Sequence, residues 1–387
     1  MQSFQHITPP LRLFCGQDSL KSLGRELERL GSRRAVVFCG PWAEGQLLEA
    51  VRAGMGERCA GVYTGVLAHS PIASVEEAAR ELKRLDADAV IALGGGSSIV
   101  TARAASILLA EDGDPRDLCT TRDSNGQLRS PKLQAPKLPQ LIVPTTPTTA
   151  MVKAGSAIFD PATGARLALF DPKTRAHAIF IHPEMIQSSP RGLALSASVN
   201  TFSMAIEGLT SRSGDPFSDA LLMHVLRLLG QHLPGLEAAD HPDTRAQLLH
   251  AAVMCGQGTD HTGAGITTVL GHAIGARHHM DNGIANAIVL PHVLRFNGTA
   301  GEAGLNKVAT ALRLGESEGE SLVNAVVEAV QSLFRRLGIP SQLREVGIPR
   351  ETLAHIAANA IGDWFLGGNP RPVRDETELL QVLEEAW

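Results

Sequence analysis

Along its first half the chain alternates short runs of aliphatic, β-branched residues with stretches of helical periodicity. Arg34–Gly40 (RAVVFCG) is apolar without alternation, the pattern of a strand buried on both faces, and it ends in a turn. Ala89–Ser98 (AVIALGGGSS) predicts a second strand running into glycines, and Gln140–Thr146 (QLIVPTT) a third. Between the first two, Val75–Leu85 (VEEAARELKRL) sets its apolar residues at helical spacing. Ala178–Met185 (AIFIHPEM) reads as the last strand of the series. Strands separated by helices predict a parallel sheet with helices on its faces. From about Ser188 the pattern changes. Asp219–Leu229, Arg245–Gly258 and Glu318–Leu337 read as long helices, and clear strands disappear. Pro190 and Pro242 fit helix edges. The acidic run GESEGES, from Gly315, reads as a solvated loop or cap, and neither an internal repeat nor a low-complexity segment is present.

A length of 387 residues suggests two domains. We expect an α/β domain with a parallel sheet over residues 1–186, an all-α domain over residues 187–387, and a cleft between them. Apolar residues make up 44% of the chain, enough for a large core, while aromatics are only 4%, so Leu, Val, Ile and Ala must fill it. Net charge is −5 and no dense basic block occurs, which argues against nucleic acid or an anionic membrane as partner. The five cysteines (Cys15, Cys39, Cys59, Cys119, Cys255) are odd in number, scattered, and form no CxxC pair. Neither structural zinc nor a disulfide framework is expected, and a reducing cytoplasm fits best. The opening MQSFQHITPPLRLF has no charged region followed by a long apolar run, so no signal peptide or membrane span is expected.

Three strand ends carry candidate chemistry. Gly94, Gly95, Gly96, Ser97 and Ser98 follow an apolar strand and open a helix. Glycines let the backbone approach a pyrophosphate, and free amides at a helix start favour an anion. The plain alternative is a tight strand–helix turn. At the end of the third strand, Thr145, Thr146 and Thr149 offer hydroxyls suited to phosphate or ribose; an ordinary capping turn is the alternative. After the first strand stands Gly40. An acidic residue there would accept hydrogen bonds from an adenosine 2′-hydroxyl and repel a 2′-phosphate. Gly40 does neither, so the coenzyme is NAD or NADP with a tilt towards NADP; the alternative is that Gly40 only permits a turn.

Longer segments carry a resemblance. Thr268–Asn297 (TVLGHAIGARHHMDNGIANAIVLPHVLRFN), Leu195–Leu209 (LSASVNTFSMAIEGL), GGGSS, PTTPTTAM and NPRPV (Asn369–Val373) together resemble the iron-containing (group III) alcohol dehydrogenases, in the superfamily that also holds dehydroquinate synthases and maleylacetate reductases. The resemblance implies a dinucleotide-binding first domain, a homodimer, and a metal held by one Asp and three His. At the matching positions this chain has Asn200, Met204, Thr268 and Asn282. Asn200 and Met204, four residues apart, share a helix face, but neutral amide, thioether and hydroxyl groups do not hold Fe²⁺ or Zn²⁺ against water. No catalytic metal is expected. Val100 and Arg103 replace the Asp and Lys of the family's GGGSxxDxAK element, and Arg166 stands where a Lys near the nicotinamide is usual. His272 matches a family histidine beside the metal, and Arg277, His278, His279 and Asp281 match a loop over the nicotinamide and substrate.

These readings lead to an NAD(P)-dependent, metal-independent oxidoreductase that interconverts a small anionic carbonyl compound and its alcohol. His272 or His279 would donate the proton and Arg277 would anchor the substrate. The alternatives are a non-redox enzyme on the same scaffold (a lyase, dehydratase or isomerase) and an inactive binding subunit.

Overall fold

The structure, a computed structural model, describes residues 3–123, 128–238 and 240–387. The chain divides into two units, one of Pro9–Pro190 and one of Arg191–Trp387 together with the segment that ends at Thr8.

The first unit contains the strands β1 Arg12–Cys15, β2 Ala35–Phe38, β3 Cys59–Tyr63, β4 Ala89–Gly94, β5 Thr121–Arg122, β6 Leu128–Arg129, β7 Gln140–Pro144, β8 Gly155–Asp160, β9 Ala165–Phe170 and β10 Ala176–Ile181. Its helices are α1 Leu23–Arg29, α2 Gln46–Met55, α3 Ile72–Arg84, α4 Gly96–Ala110 and α5 Pro183–Gln187. Six strands form one sheet in the order β3-β2-β4-β7-β10-β1, and every pairing is parallel. Every residue of β2, β4 and β7 is buried, which is why their sequences are unbroken apolar runs. Leu23, Leu27, Val37, Ile91, Leu93 and Phe180 lie in the core on one face of this sheet.

Two strand ends differ from the sequence expectation. The apolar run to Met185 is split, because β10 ends at Ile181 and Pro183 opens α5 at its first helical position, where a missing N–H costs nothing. The third strand stops at Pro144 rather than Thr146. The hairpin β8–β9 is an addition. Its turn closes with Gly164 at φ +70°, whose N–H donates to the Asp160 carbonyl at 2.8 Å.

The second unit is helical: α6 Arg191–Thr210, α7 Pro216–Ala238, α8 Pro242–Thr262, α9 Ile266–His278, α10 Asn282–Asn297, α11 Glu302–Leu312, α12 Gly319–Arg336, α13 Leu353–Ala360 and α14 Glu376–Ala386. Phe202, Leu226, Leu290, Val326 and Phe334 are fully or almost fully buried at its centre. The NPR segment is a lock. Asn369 exchanges side-chain hydrogen bonds with Asn297 at the end of α10, and the Arg371 guanidinium lies 3.9 Å from the Phe296 ring centre while donating to the Phe296 carbonyl. Among the described residues no helix is long and apolar enough to cross a membrane.

Candidate functional site

In an open parallel sheet, the natural ligand crevice lies where the strand order reverses, at the carboxyl ends of the strands. Here β2 is followed by β3 on one side and β4 on the other, so the reversal falls between β2 and β4. The residues just past those two strands are Cys39–Gly40 and the glycines from Gly94 onward. Trp42 spans both. A Cβ placed on Gly40 would come within 2.6 Å of the Trp42 indole nitrogen, and one on Gly94 within 3.1 Å of Trp42 Cζ2. Gly94 also has φ +141°, a conformation side chains rarely take. Trp42 itself is 51% exposed. A flat aromatic wall therefore stands where an acidic side chain on residue 40 would have projected.

The glycines continue into α4. Gly95 is its cap and no side chain caps it, so the first amides of the helix keep the donors that an intrahelical ladder cannot use. Thr145, Thr146 and Thr149, all buried, come alongside from the end of β7. The Thr145 N–H donates to the Gly94 carbonyl at 3.1 Å, and a Cβ on Gly95 would press on Thr146 Oγ1 at 2.7 Å. The structure thus brings Gly40, Gly94, Gly95, Gly96, Ser97, Ser98 and the threonines to one end of the sheet. This cradle of backbone donors fits the pyrophosphate of a dinucleotide. Arg166 is exposed on β9, opposite Phe159 in the hairpin. Arg103 is fully buried and donates to the carbonyls of Gly155 (2.6 Å) and Ala150 (2.7 Å), so it ties α4 to β8 and the Thr149 turn. Arg34 donates to the Leu85 and Asp86 carbonyls at the foot of the sheet, away from the strand end.

In the helical unit, the four positions matching a metal-ligand set are occupied by groups engaged with one another or with close neighbours. The Asn200 carboxamide is 3.5 Å from Met204 Sδ and meets the Asn286 carboxamide at 2.8 Å. Thr268 Oγ1 donates to Glu207 at 2.6 Å. The Asn282 carboxamide lies over Gly275, 2.5 Å from where a Cβ would be. No imidazole or carboxylate stands at any of the four. Glu207, close by, is spent on the start of α9: it accepts from the Thr267 N–H (2.6 Å), the Thr268 N–H (3.2 Å) and the Thr268 hydroxyl. A carboxylate there complements the positive end of the helix. Burial pushes its pKa up, and those hydrogen bonds offset only part of the rise. Such a donor set does not fit Fe²⁺ or Zn²⁺.

Among the described residues, one group of three His or Asp side chains converges elsewhere: His6, Asp215 and His261. Its geometry is that of a clamp. The two imidazoles stack with centres 3.9 Å apart, so their lone pairs run side by side, and Asp215 caps α7 through Phe217 N–H, Ser218 N–H and Ser218 Oγ. His261 Nε2 lies 3.1 Å from the Ile7 carbonyl, which fastens the N-terminal segment.

His272 lies on α9 with Nδ1 3.4 Å from Asp363 Oδ2; the two are 29% and 18% exposed. Arg277 and His278 point elsewhere. At about 100° per residue, Arg277 leaves α9 roughly 140° round from His272. Its Nη1 is 3.3 Å from His355 Nδ1, while His278 Nε2 is 3.2 Å from Thr352 Oγ1. His279 ends the helix in the left-handed conformation, φ +54°. Burial, then the charges of Arg277 and His279, hold His278 below the usual histidine range. Trp42, Asp363 and Asn286 are site residues that the sequence did not single out. An aromatic just after the first strand was a usable signal for Trp42; nothing local marks the other two.

Comparison with known proteins gives the family and the fold. The family described as iron-containing alcohol dehydrogenase matches residues 10–183, and the Fe-containing alcohol dehydrogenase family, C-terminal, matches residues 194–387. The lactaldehyde reductase of Escherichia coli is 30% identical over 386 residues, covering 96% of this chain and 97% of its own. The NAD-dependent methanol dehydrogenase of Bacillus methanolicus is 26% identical, covering 98% of each. A crystal structure of a 1,3-propanediol oxidoreductase, 20% identical and covering 100% of both chains, superposes with a TM-score of 0.90 and shares the fold.

Proposed function

We propose that this chain, which belongs to the iron-containing alcohol dehydrogenase family and is an alcohol dehydrogenase/reductase-like oxidoreductase, works without a catalytic metal. In this reading it interconverts a small anionic carbonyl compound and its alcohol. The observation that carries the proposal is the pairing of an intact dinucleotide cradle at Gly94–Ser98 with neutral, mutually engaged side chains at the four ligand positions.

The bound coenzyme, NAD or NADP, supplies or accepts the hydride. The amides at the start of α4 bind its pyrophosphate, with Thr145, Thr146 and Thr149 beside them. Gly40 puts no carboxylate against a 2′-phosphate, and Trp42 fills that place, so NADP is accepted and mildly favoured. With His272 Nδ1 turned to Asp363, its Nε2 carries the proton. In reduction Nε2 would give a proton to the carbonyl oxygen, and in oxidation it would take one back. Asp363 is a positioning residue that orients the His272 ring. His279, at the end of α9, supplies a donor that suits an anionic substituent on the substrate, whereas Arg277, turned about 140° from His272 and held at His355, stands apart from it. The exposed edge strand β1 is compatible with a homodimer.

The test is elemental analysis paired with calorimetric titration of NADH and NADPH on the same sample. Coenzyme binding without stoichiometric metal is expected, followed by turnover on small carbonyl acids. Stoichiometric iron or zinc would overturn the metal-free reading, and failure to bind either coenzyme would overturn the redox one.

A further inference from the structure

The helical unit contains a second feature, remote in sequence from His272 and Asp363. A cavity of about 810 Å³ opens among α7, α12 and the end of α11. The helices present it in matching rows. From α7 come His224, Arg227 and Gln231, and from α12 come Ser332 and Arg336, at the three- and four-residue spacings that put side chains on one face. Arg313 joins them from the end of α11. Leu228, Leu312 and Leu314, all partly buried, give the cavity an apolar floor.

The charge is one-sided. Among the described residues, three arginines line the cavity and no Asp or Glu does, in a chain whose net charge is −5. Among the described residues, none of the three is within salt-bridge distance of a carboxylate. All three are exposed at its rim, and the planar forks of guanidinium groups match phosphate oxygens two at a time. Arg313 adds a second observation. It ends α11 at φ +58°, ψ +41°, where glycine is the unstrained choice. Its long cationic side chain is kept at a position that backbone geometry would give to glycine.

We infer that this cavity binds a small organic phosphate, its phosphates bridging Arg227, Arg313 and Arg336 and its apolar body resting on Leu312 and Leu314. The volume suits a ligand of nucleotide size. The site is separate from the dinucleotide cradle, which belongs to the other unit.

The experiment is calorimetric titration of the full-length protein with ATP as probe, with inorganic triphosphate in parallel. Saturable one-to-one ATP binding is expected, tighter than that of triphosphate. The R227Q/R336Q variant should weaken it at least about tenfold, the scale of lost charge-assisted hydrogen bonds, while Gly95→Ala in the cradle should leave it unchanged. Arg313→Gly should raise the unfolding midpoint by a few degrees and weaken ATP. Absence of saturable binding, or binding untouched by R227Q/R336Q, overturns the proposal. Binding lost in Gly95→Ala assigns the phosphate to the cradle and overturns it equally. Triphosphate binding as tightly as ATP overturns the role of the apolar floor.

Discussion

Gly95→Ala tests the cradle with a magnitude set by the structure. Gly95 has φ −90° and ψ −158°, which alanine adopts freely, so the backbone contributes no strain. The new Cβ would lie 2.7 Å from Thr146 Oγ1, some 0.7 Å inside an ordinary contact. Thr146 is 3% exposed and β-branched, and its carbonyl holds the Thr148 N–H at 2.9 Å, so it does not swing aside easily. Overpacking of this kind costs about 1–3 kcal/mol. Gly→Ala returns about 0.4–1 kcal/mol by restricting the unfolded chain. A net loss of about 1 kcal/mol follows, with coenzyme affinity falling about tenfold as Thr146 shifts. Thr146→Ala removes both Oγ1 and Cγ2, leaving Cβ at 3.7 Å, an ordinary contact. In that background Gly95→Ala should be neutral or stabilising by about 0.5 kcal/mol, a reversal of sign and a coupling within the range for touching residues. Urea unfolding of the four proteins, followed by circular dichroism, reads the cycle. An equal cost in both backgrounds would refute the steric account.

Asp215→Ala removes the cap of α7 and should cost about 1–2 kcal/mol near neutral pH. Burial disfavours the Asp215 carboxylate, but hydrogen bonds led by those of Ser218 bring its pKa down to about 2 from the usual 3.8. A depressed carboxylate stabilises fully above its unfolded pKa and loses that contribution as pH falls, so the gap between wild type and variant should close between about pH 4 and pH 2; a constant gap would refute the ionic part of the cap. Burial holds His177, His250, His278 and His292 below the ordinary 6.5. Histidines kept neutral in the folded state stabilise above 6.5 and cease to as pH drops through it, so melting temperatures should decline from pH 7.5 to 5.5, and His250→Gln should flatten the slope. Asp363→Asn should lower kcat about tenfold or more, with KM little changed. An unchanged kcat would refute the positioning role.

Legibility in the sequence followed burial. β2, β4 and β7 could be read because both faces are covered and composition alone marks them. β1 and β3 lie at the two edges of the sheet, β1 mostly exposed and β3 mostly half-buried, so neither an apolar run nor a clean alternation announces them. The glycines of the cradle were legible because close approach leaves so few residue choices. Asp363 was not: it meets His272 from 91 residues away, and a lone Asp before WFLGG reads as a turn. The Arg277–Asp281 run looked like one cluster because it is contiguous, yet a helix sends neighbouring side chains in different directions, and Arg277 and His278 reach different residues of the α13 region. The four ligand positions were readable as substitutions, but Asn286, which meets Asn200, falls outside the set they define.

Trp42 also makes the protein its own reporter. The chain has three tryptophans, and Trp42 is the one in the sheet unit. Trp387, at the far end of the sequence, is held by a hydrogen bond from its Nε1 to the Ile348 carbonyl and flanked by Arg344 and Arg350. Indole emission overlaps the absorption of reduced nicotinamide, so energy transfer from Trp42 would light up a coenzyme seated between β2 and β4. A Trp42→Phe protein would lose Trp42's share of that signal while keeping the emission of the helical unit. The two halves of the molecule can then be followed separately, without a label, as one fills and the other works.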